Sequence, residues 1–296
     1  MGENNSINPV LPGLSDSGEI ANNCVVCGVA SGWKRLTTLP TFLFHRRAEI
    51  LRCKHCGVGR TLPAPDISVA YYENNVRNDE LFIQRSAIYR RFADELLSHL
   101  QQLSPVGDKL LDFGCGGGFI VEAAARLGYI AEGVEANMAM VDWCQSRALN
   151  VSNKTLDQML AENTRYDVII FSAVLEHLPD PYAVLISYKR LLAPSGIIVI
   201  SQASYDGLLP RVFPWGWYGW QPLEHYWHFI PRSICMMAGR AGLRPIKLMR
   251  GSLHHPWFSH GTLLELAGRN LAALLARIGL KMGSGDNFYY LFESES

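Results

Sequence analysis

Residues 110–118 read Leu-Leu-Asp-Phe-Gly-Cys-Gly-Gly-Gly, and this stretch constrains the fold more than any other in the chain. Two apolar residues end a strand, an acid follows, and a glycine-rich turn opens onto a helical run from Phe119 to Leu127. That order specifies a strand–turn–helix unit whose backbone can approach a bound cofactor closely. The spacing is Gly-x-Gly-x-Gly, not the Gly-x-Gly-x-x-Gly of dinucleotide folds, and no Gly-Lys-Ser/Thr follows to cradle a triphosphate.

The rest of the 296 residues accommodates one large domain and a small one. Formal net charge is zero and apolar residues make up 48%, so no global field draws the chain to nucleic acid or to a membrane. No apolar run approaches the roughly 20 residues that span a bilayer. Residues 1–20 read as a flexible polar tail without the basic and apolar regions of a signal peptide, and a cytoplasmic location is expected.

Four of the seven cysteines form two knuckles, Cys24-Val-Val-Cys27-Gly28 and Cys53-Lys-His-Cys56-Gly57. The two-residue gap lets both thiolates of a knuckle reach one ion, and the glycine permits the left-handed turn behind them. Two knuckles supply the tetrahedral sulfur set that zinc prefers, so residues 21–62 read as a zinc ribbon with a structural, closed site. Trp33, Leu36, Leu39, Phe42, Leu43, Phe44 and Ile50 are available to cover a small metal core. Lys34, Arg35, Arg46, Arg47, Arg52, Lys54 and Arg60 face one acid, Glu49, which is either a solvated basic face or a site for a phosphate-bearing substrate or RNA. His45 and His55 are expected on the surface. Cys115, Cys144 and Cys235 read as small packing residues.

Residues 63–107 form a linker and a long helix from about Asp79 to Leu103, with Leu81, Ile88, Phe92, Leu96 and Leu100 on one face. This helix is expected at the sheet edge, roofing the cofactor. Tyr71 and Tyr72 are either core aromatics or substrate contacts at the pocket mouth. Beyond the glycine turn, Ile130–Glu135 reads as a second strand ending in an acid, Asn137–Leu149 as a helix and Val151–Thr155 as a third strand. Glu135 is an acceptor for ribose hydroxyls or a helix N-terminal acid. Asp157 either receives an adenine amino group or caps a helix. Tyr166–Ser172 is a β-branched buried strand, Tyr182–Leu192 a helix, and Ala193-Pro194-Ser195-Gly196 turns into a fifth strand, Ile197–Ser201. Pro245–Met249 and Phe288–Phe292 suit strands six and seven.

Leu-Asp-Phe-Gly-Cys-Gly-Gly-Gly, Gly-Val-Glu, Tyr-Asp-Val-Ile-Ile-Phe-Ser-Ala-Val-Leu-Glu-His-Leu-Pro-Asp-Pro and Leu-Leu-Ala-Pro-Ser-Gly-Ile-Ile-Val-Ile, in this order over about residues 108–203, resemble the motifs of class I S-adenosylmethionine (SAM) methyltransferases. The resemblance implies an α/β, Rossmann-like seven-stranded sheet with its last strand antiparallel, over residues 108–296. It implies SAM as cofactor, held at Asp112, Gly114, Cys115, Gly116, Glu135, Ala136, Asp157, Ser172 and Ala173.

The acceptor side is less regular. The chain lacks Asn/Asp-Pro-Pro-Tyr after its fourth strand, which argues against methylation of base amines, and shows no carboxylate trio for a catechol-type magnesium site. An aromatic insert at 204–230 holds Trp215, Trp217, Tyr218, Trp220, Trp227 and His228. It is a pocket lining for a ring or apolar chain, with Trp217, Tyr218, Trp220 and His228 on the substrate, or else a lid or dimer patch. Glu224-His225 is the leading acid/base pair, the carboxylate orienting the imidazole, and His177 is the other candidate base. Glu-His followed by an aromatic, together with the cysteine module, resembles the zinc-bearing sugar C-methyltransferases, without a counterpart of their extra C-terminal domain. Residues 252–284 form a helical insert, a lid or a dimerisation helix; a homodimer is one expectation.

The expected function is therefore SAM-dependent O- or C-methylation of a sugar, nucleotide-sugar or secondary metabolite with a histidine base. Nucleic acid is not an expected partner. The competing readings are an RNA methyltransferase whose basic ribbon binds RNA, and a non-catalytic scaffold.

Overall fold

The computed structural model describes residues 23–30, 32–39, 47–65, 83–102, 107–207, 210, 217–251 and 287–295. Tyr71, Tyr72 and the helical insert 252–284 lie outside them.

β1 (Trp33–Leu39), β2 (Ala48–Cys53) and β3 (Gly59–Leu62) form an antiparallel meander that carries the cysteine knuckles. α1 (Ser86–Gln101) follows, then the alternation β4 (Lys109–Phe113), α2 (Phe119–Arg126), β5 (Ile130–Val134), α3 (Met138–Ser146), β6 (Val151–Ser152), α4 (Leu156–Ala161), β7 (Tyr166–Ser172), α5 (Pro181–Lys189) and β8 (Leu192–Ala203). A short β9 (Trp227–His228), α6 (Pro231–Arg240), β10 (Leu243–Arg250) and β11 (Asn287–Ser294) complete the described chain.

Seven strands make one sheet in the order β10-β11-β8-β7-β4-β5-β6. β11 runs antiparallel to both of its neighbours and the other six strands are parallel, as the motif order implied. The central strands are apolar on both faces because helices cover both sides. Leu110, Val168, Ile170 and Val199 face α1 and α2, whereas Leu111, Ile169, Phe171 and Ile198 face α5 and α6. α1 is therefore not at the sheet edge. Its buried face, Ala93, Leu96, Leu97 and Leu100, packs with Phe119 of α2 and Tyr289 of β11.

Two boundaries shift for local reasons. β6 stops at Ser152 because Thr155 turns to cap α4: Gln158 N–H donates to Thr155 Oγ1 at 3.3 Å and Thr155 N–H to Gln158 Oε1 at 2.8 Å. Asp157 thus lies exposed in the first turn of α4 and is not its cap. β8 begins at Leu192, before the Pro-Ser-Gly turn, which is a bulge inside the strand: the register with β7 slips between Tyr166 and Val168, and Ser195 has φ 65°.

The largest departure concerns the cysteine module. β9, from the aromatic insert, pairs with β3 through Gly59↔His228 and Arg60↔Trp227, so ribbon and insert share one four-stranded sheet. Leu39 and Ile50 do not cover a metal core of their own. They are fully buried with Ala48 against Tyr205, Trp217, Trp220 and Ile230, while Leu36 is exposed. A ribbon this small buries too little surface alone, and complete burial of each such aliphatic side chain contributes about 2 kcal/mol. Arg240 of α6 reinforces the junction by donating to the carbonyls of Val25 (2.6 Å) and Val26 (2.8 Å).

Candidate active site

The glycine turn is closed by its own neighbourhood. Gly114 and Cys115 donate their N–H groups to Val134 O at 2.8 and 3.1 Å. Gly114, Gly116 and Gly118 all adopt positive φ (70°, 49° and 67°). At Gly114 a Cβ would also come within 2.7 Å of Val174 Cγ2, so the turn abuts the loop after β7. Ala173 in that loop holds φ 53°, an uncommon conformation for a residue with a side chain, and donates its N–H to Ser201 O at 2.9 Å. Ser172, half-buried, is the last residue of β7.

Glu135 follows β5 and is half-buried. Its Oε2 accepts from Gly116 N–H (2.8 Å) and its Oε1 from Asn137 N–H (2.9 Å). Two backbone bonds fix the carboxylate plane, and each oxygen retains acceptor capacity, which suits the vicinal hydroxyls of a ribose. Asp112 is fully buried and neither of its oxygens has a hydrogen-bond partner in the described structure. Burial, and secondarily the Glu135 charge, pushes its carboxyl up to about 8. An orphaned buried acid beside a glycine cradle and a positioned carboxylate fits the polar end of the expected cofactor. Cys115 and Cys144 are buried packing groups whose thiols burial holds above the usual range. Ala136 and Asp157 are exposed on the same edge.

The acceptor side is assembled from distant segments. His177, at the end of the short turn Leu175–His177, and His225 lie edge to face with ring centroids 4.5 Å apart. Glu176, His177 and His225 each present a ligand atom within 4.8 Å of the others. Glu176 is buried, with Oε2 lacking a hydrogen-bond partner, and burial raises its pKa against the opposing influence of His177 and Gln202. Tyr226 N–H donates to Glu176 O at 2.8 Å, tying the loop of His225 to that of His177.

The His225 ring is oriented by the backbone. Its Nδ1 lies 2.9 Å from Gly219 O. A carbonyl can only accept, so Nδ1 carries a proton and donates to it. Glu224, expected to orient the imidazole, is half-buried next to it in sequence.

Trp217 and Trp220, expected against substrate, are 3% and 2% exposed and stack edge to face at 4.9 Å inside the ribbon junction. The adjacent Tyr218 belongs to the same short turn, Tyr218–Trp220. His228 is buried too: its Nε2 lies 2.8 Å from Thr61 Oγ1, and burial draws its pKa down to about 3, against the influence of the Gly219 carbonyl. Trp217, Trp220 and His228 serve the core because β9 pairs into the ribbon sheet. Three residues escaped the sequence reading. Glu176 stood visible beside His177, whereas Gly219 and Thr61 carry no sequence signal.

The four knuckle cysteines are buried and offer four sulfurs within 4.8 Å of one another. Cys24 Sγ is 3.8 Å from Cys56 Sγ, and Cys27 Sγ 3.9 Å from Cys53 Sγ. Gly28 and Gly57 hold φ 72° and 83° behind them, as the knuckle spacing required. The donor set is compatible with zinc. His55 is exposed; His45 lies outside the described residues.

A family model described as a methyltransferase domain matches residues 84–248. The chain belongs to this methyltransferase-domain family. Among curated proteins, the chain is 32% identical over 165 residues to a ubiquinone biosynthesis O-methyltransferase of Cereibacter sphaeroides, covering 51% of the chain and 65%, just under two thirds, of the relative. It is 29% identical over 185 residues to the protein of that name from Dinoroseobacter shibae, covering 57% and 73%. Among solved structures it resembles magnesium protoporphyrin IX methyltransferase of Synechocystis PCC 6803 with bound S-adenosylhomocysteine (SAH), at TM-score 0.53 and 15% identity over 76% of this chain and 97% of that one. A SAM-dependent methyltransferase from Thermotoga maritima gives TM-score 0.53 and 16% identity over 77% and 99%. These likenesses concern the fold. The α/β methyltransferase architecture is thus established, and among the described residues no helix is long and apolar enough to cross a membrane.

Proposed function

We propose that this methyltransferase methylates a hydroxyl of a small molecule, with His225 as the base that removes the acceptor proton. The single observation that carries the reading is the His225 Nδ1–Gly219 carbonyl bond, which orients the ring beside His177, whose loop abuts the glycine turn. The backbone of Gly114–Gly116, with Glu135, would hold the SAM ribose, and Ser172–Ala173 would border the methyl end. When bound, SAM supplies an activated sulfonium methyl group. The chain then needs only to align an acceptor, exclude water and accept its proton. His225 is 6% exposed, so the ring is sheltered from bulk water. Small-molecule oxygen as the acceptor is supported by relatives named O-methyltransferases.

The Glu224-His225-aromatic resemblance favours a second reading, C-methylation of a keto-sugar. The same base would take a proton from the carbon next to the carbonyl. RNA is disfavoured by the zero net charge.

A screen of phenols, hydroxylated metabolites and keto-sugars with methyl-labelled SAM tests the assignment, with RNA as a further arm. Label on oxygen supports the first reading, label on carbon the second, and label only in RNA overturns both. On the acceptor so found, His225→Ala should lower kcat by about 10²–10⁴-fold while SAH affinity stays within twofold. Full turnover in that variant would remove His225 from the role.

A further inference from the structure

Three consecutive glycines, Gly116 to Gly118, have no side chains to set their own peptide planes. The residue that follows α3 does part of that work. Arg147 Nη1 donates to Gly117 O at 2.9 Å, and its Nη2 donates to Glu122 Oε2, in the first turn of α2, at 2.6 Å. The guanidinium is a planar fork, so one group makes both bonds in a fixed relation. It lies 4.3 Å from the ring centroid of Trp143 and 5.3 Å from that of Phe119. Those rings wall the turn: a Cβ on Gly117 would meet Phe119 Cε2 at 2.6 Å and Trp143 Cζ3 at 3.0 Å.

Cys144, three residues before Arg147 and on the same face of α3, brings its thiol to 3.5 Å from Gly116 O. Two successive carbonyls of the turn are therefore held from α3. In a trans peptide the C=O and the next N–H point in opposite directions. Holding Gly116 O and Gly117 O thus fixes where the amides of Gly117 and Gly118 point. Gly118 N–H is spent on Cys115 O at 2.9 Å, while Gly117 N–H is turned away from Cys144. Arg90 supplies an internal comparison. Its Nε donates to the same Glu122 Oε2 at 3.0 Å and its guanidinium lies over the same Phe119 ring at 5.6 Å, yet no described contact joins it to the turn.

We propose that Arg147 is a positioning residue for the donor site: it holds the Gly117 carbonyl, and with it the peptide planes of Gly116–Gly118, in the arrangement that receives SAM. This rests on the reading of the glycine turn as the SAM cradle. An arginine that only tied α3 to α2 would matter for stability and leave the turn unchanged.

The experiment uses full-length, zinc-loaded protein labelled with nitrogen-15 glycine. Arg147→Met keeps an unbranched stem over Trp143 and removes both bonds; Arg90→Met removes an ion pair from the same carboxylate. Both should lower the melting temperature. Only Arg147→Met should weaken SAH binding by calorimetry, by about tenfold, and speed hydrogen exchange of the Gly116 and Gly118 amides about tenfold. In Arg90→Met both readings should stay within twofold of wild type. Unchanged SAH affinity or unchanged glycine exchange in Arg147→Met overturns the proposal. So does an equal loss of affinity in Arg90→Met, since the stability of the cluster would then account for it. If Arg147→Met does not fold, Arg147→Lys, which lacks the fork, carries the same measurement. If neither folds while Arg90→Met does, Arg147 is a folding requirement and the positioning role is overturned. Failure of the cradle reading is distinguishable: Glu135→Ala would then also bind SAH like wild type.

Discussion

The donor turn and the acceptor pocket touch each other at Gly114 and Val174, yet they are built on opposite plans. Contacts that shape the turn come from one short stretch: Gly114 and Cys115 on Val134, Gly116 on Glu135, Asn137 capping α3. The histidine loop depends on Thr61, Glu176, Gly219 and Tyr226, drawn from three separate segments. Local closure makes the first a property of its own sequence. The second exists only after ribbon, insert and sheet have come together.

The harshest way to separate the halves is to open the cysteine cluster. Cys56→Ala should reduce zinc from about one per chain to none by elemental analysis and lower the melting temperature. Structural zinc sites of this type contribute on the order of 10 kcal/mol. SAH affinity should remain within threefold, because no ribbon residue bonds to the turn or to Glu135 among the described contacts. SAH binding lost in parallel with zinc would mean that the donor half depends on the ribbon after all.

Glu135→Ala probes the other half. Loss of the carboxylate removes a ribose acceptor and frees Gly116 N–H and Asn137 N–H, so SAH binding should weaken tenfold or more, about 1.4 kcal/mol. Zinc content and the nitrogen-15 signals of the His225 ring should not move. Unchanged calorimetric affinity would remove Glu135 from the cofactor site.

A smaller effect tests the contact between the halves. Gly114→Ala places a Cβ 2.7 Å from Val174 Cγ2 on a residue with φ 70°. The backbone strain should cost about 1–3 kcal/mol, measured by thermal unfolding. Val174→Ala removes the collision and leaves the strain. The double variant should therefore recover part of the loss, and strict additivity would show that the two loops are not mechanically coupled.

This difference in construction explains what could be read from the chain. The sheet was legible because β-branched runs such as Val168–Phe171 lie buried on both faces, a pattern set by the strand itself. The knuckles were legible because two cysteines and a glycine specify their own turn. The aromatic insert misled: Trp217 and Trp220 have the composition of a ring-binding wall, but a strand two residues long turns them into the ribbon interface. Nothing in Thr61 or Gly219 marks their contacts with His225: the first belongs to a pairing between remote segments, and the second uses a backbone carbonyl that any residue supplies. The Glu224-His225 adjacency suggested a carboxylate partner, and the structure adds a backbone carbonyl six residues upstream, on Nδ1.

The two halves should also respond to pH in opposite directions. Asp112, on the donor side, has its folded pKa raised to about 8 by burial, above the unfolded value of about 3.9. The folded state then binds the extra proton, so this group's contribution is intact below about pH 4 and is lost as pH rises toward 8. His228, on the acceptor side, has its folded pKa lowered to about 3, below the unfolded value of about 6.5. Here the unfolded state binds the extra proton, and stability is lost as pH falls from 6.5 toward 3. Asp112→Asn should flatten the fall in melting temperature between about pH 6.5 and 8, and His228→Gln should flatten the rise between about pH 3 and 4, the glutamine amide still donating to Thr61; between about pH 4 and 6.5, where the two groups oppose each other, each variant should expose the slope of the other. Because the two windows share only the range from about pH 4 to 6.5, a maximum of stability inside it is expected for the wild type, and its displacement to either side by one variant reports which half yields first. A wild-type profile flat from about pH 6.5 to 8 would mean that the Asp112 carboxyl is solvated in the folded protein and that the donor turn is more open than its burial implies.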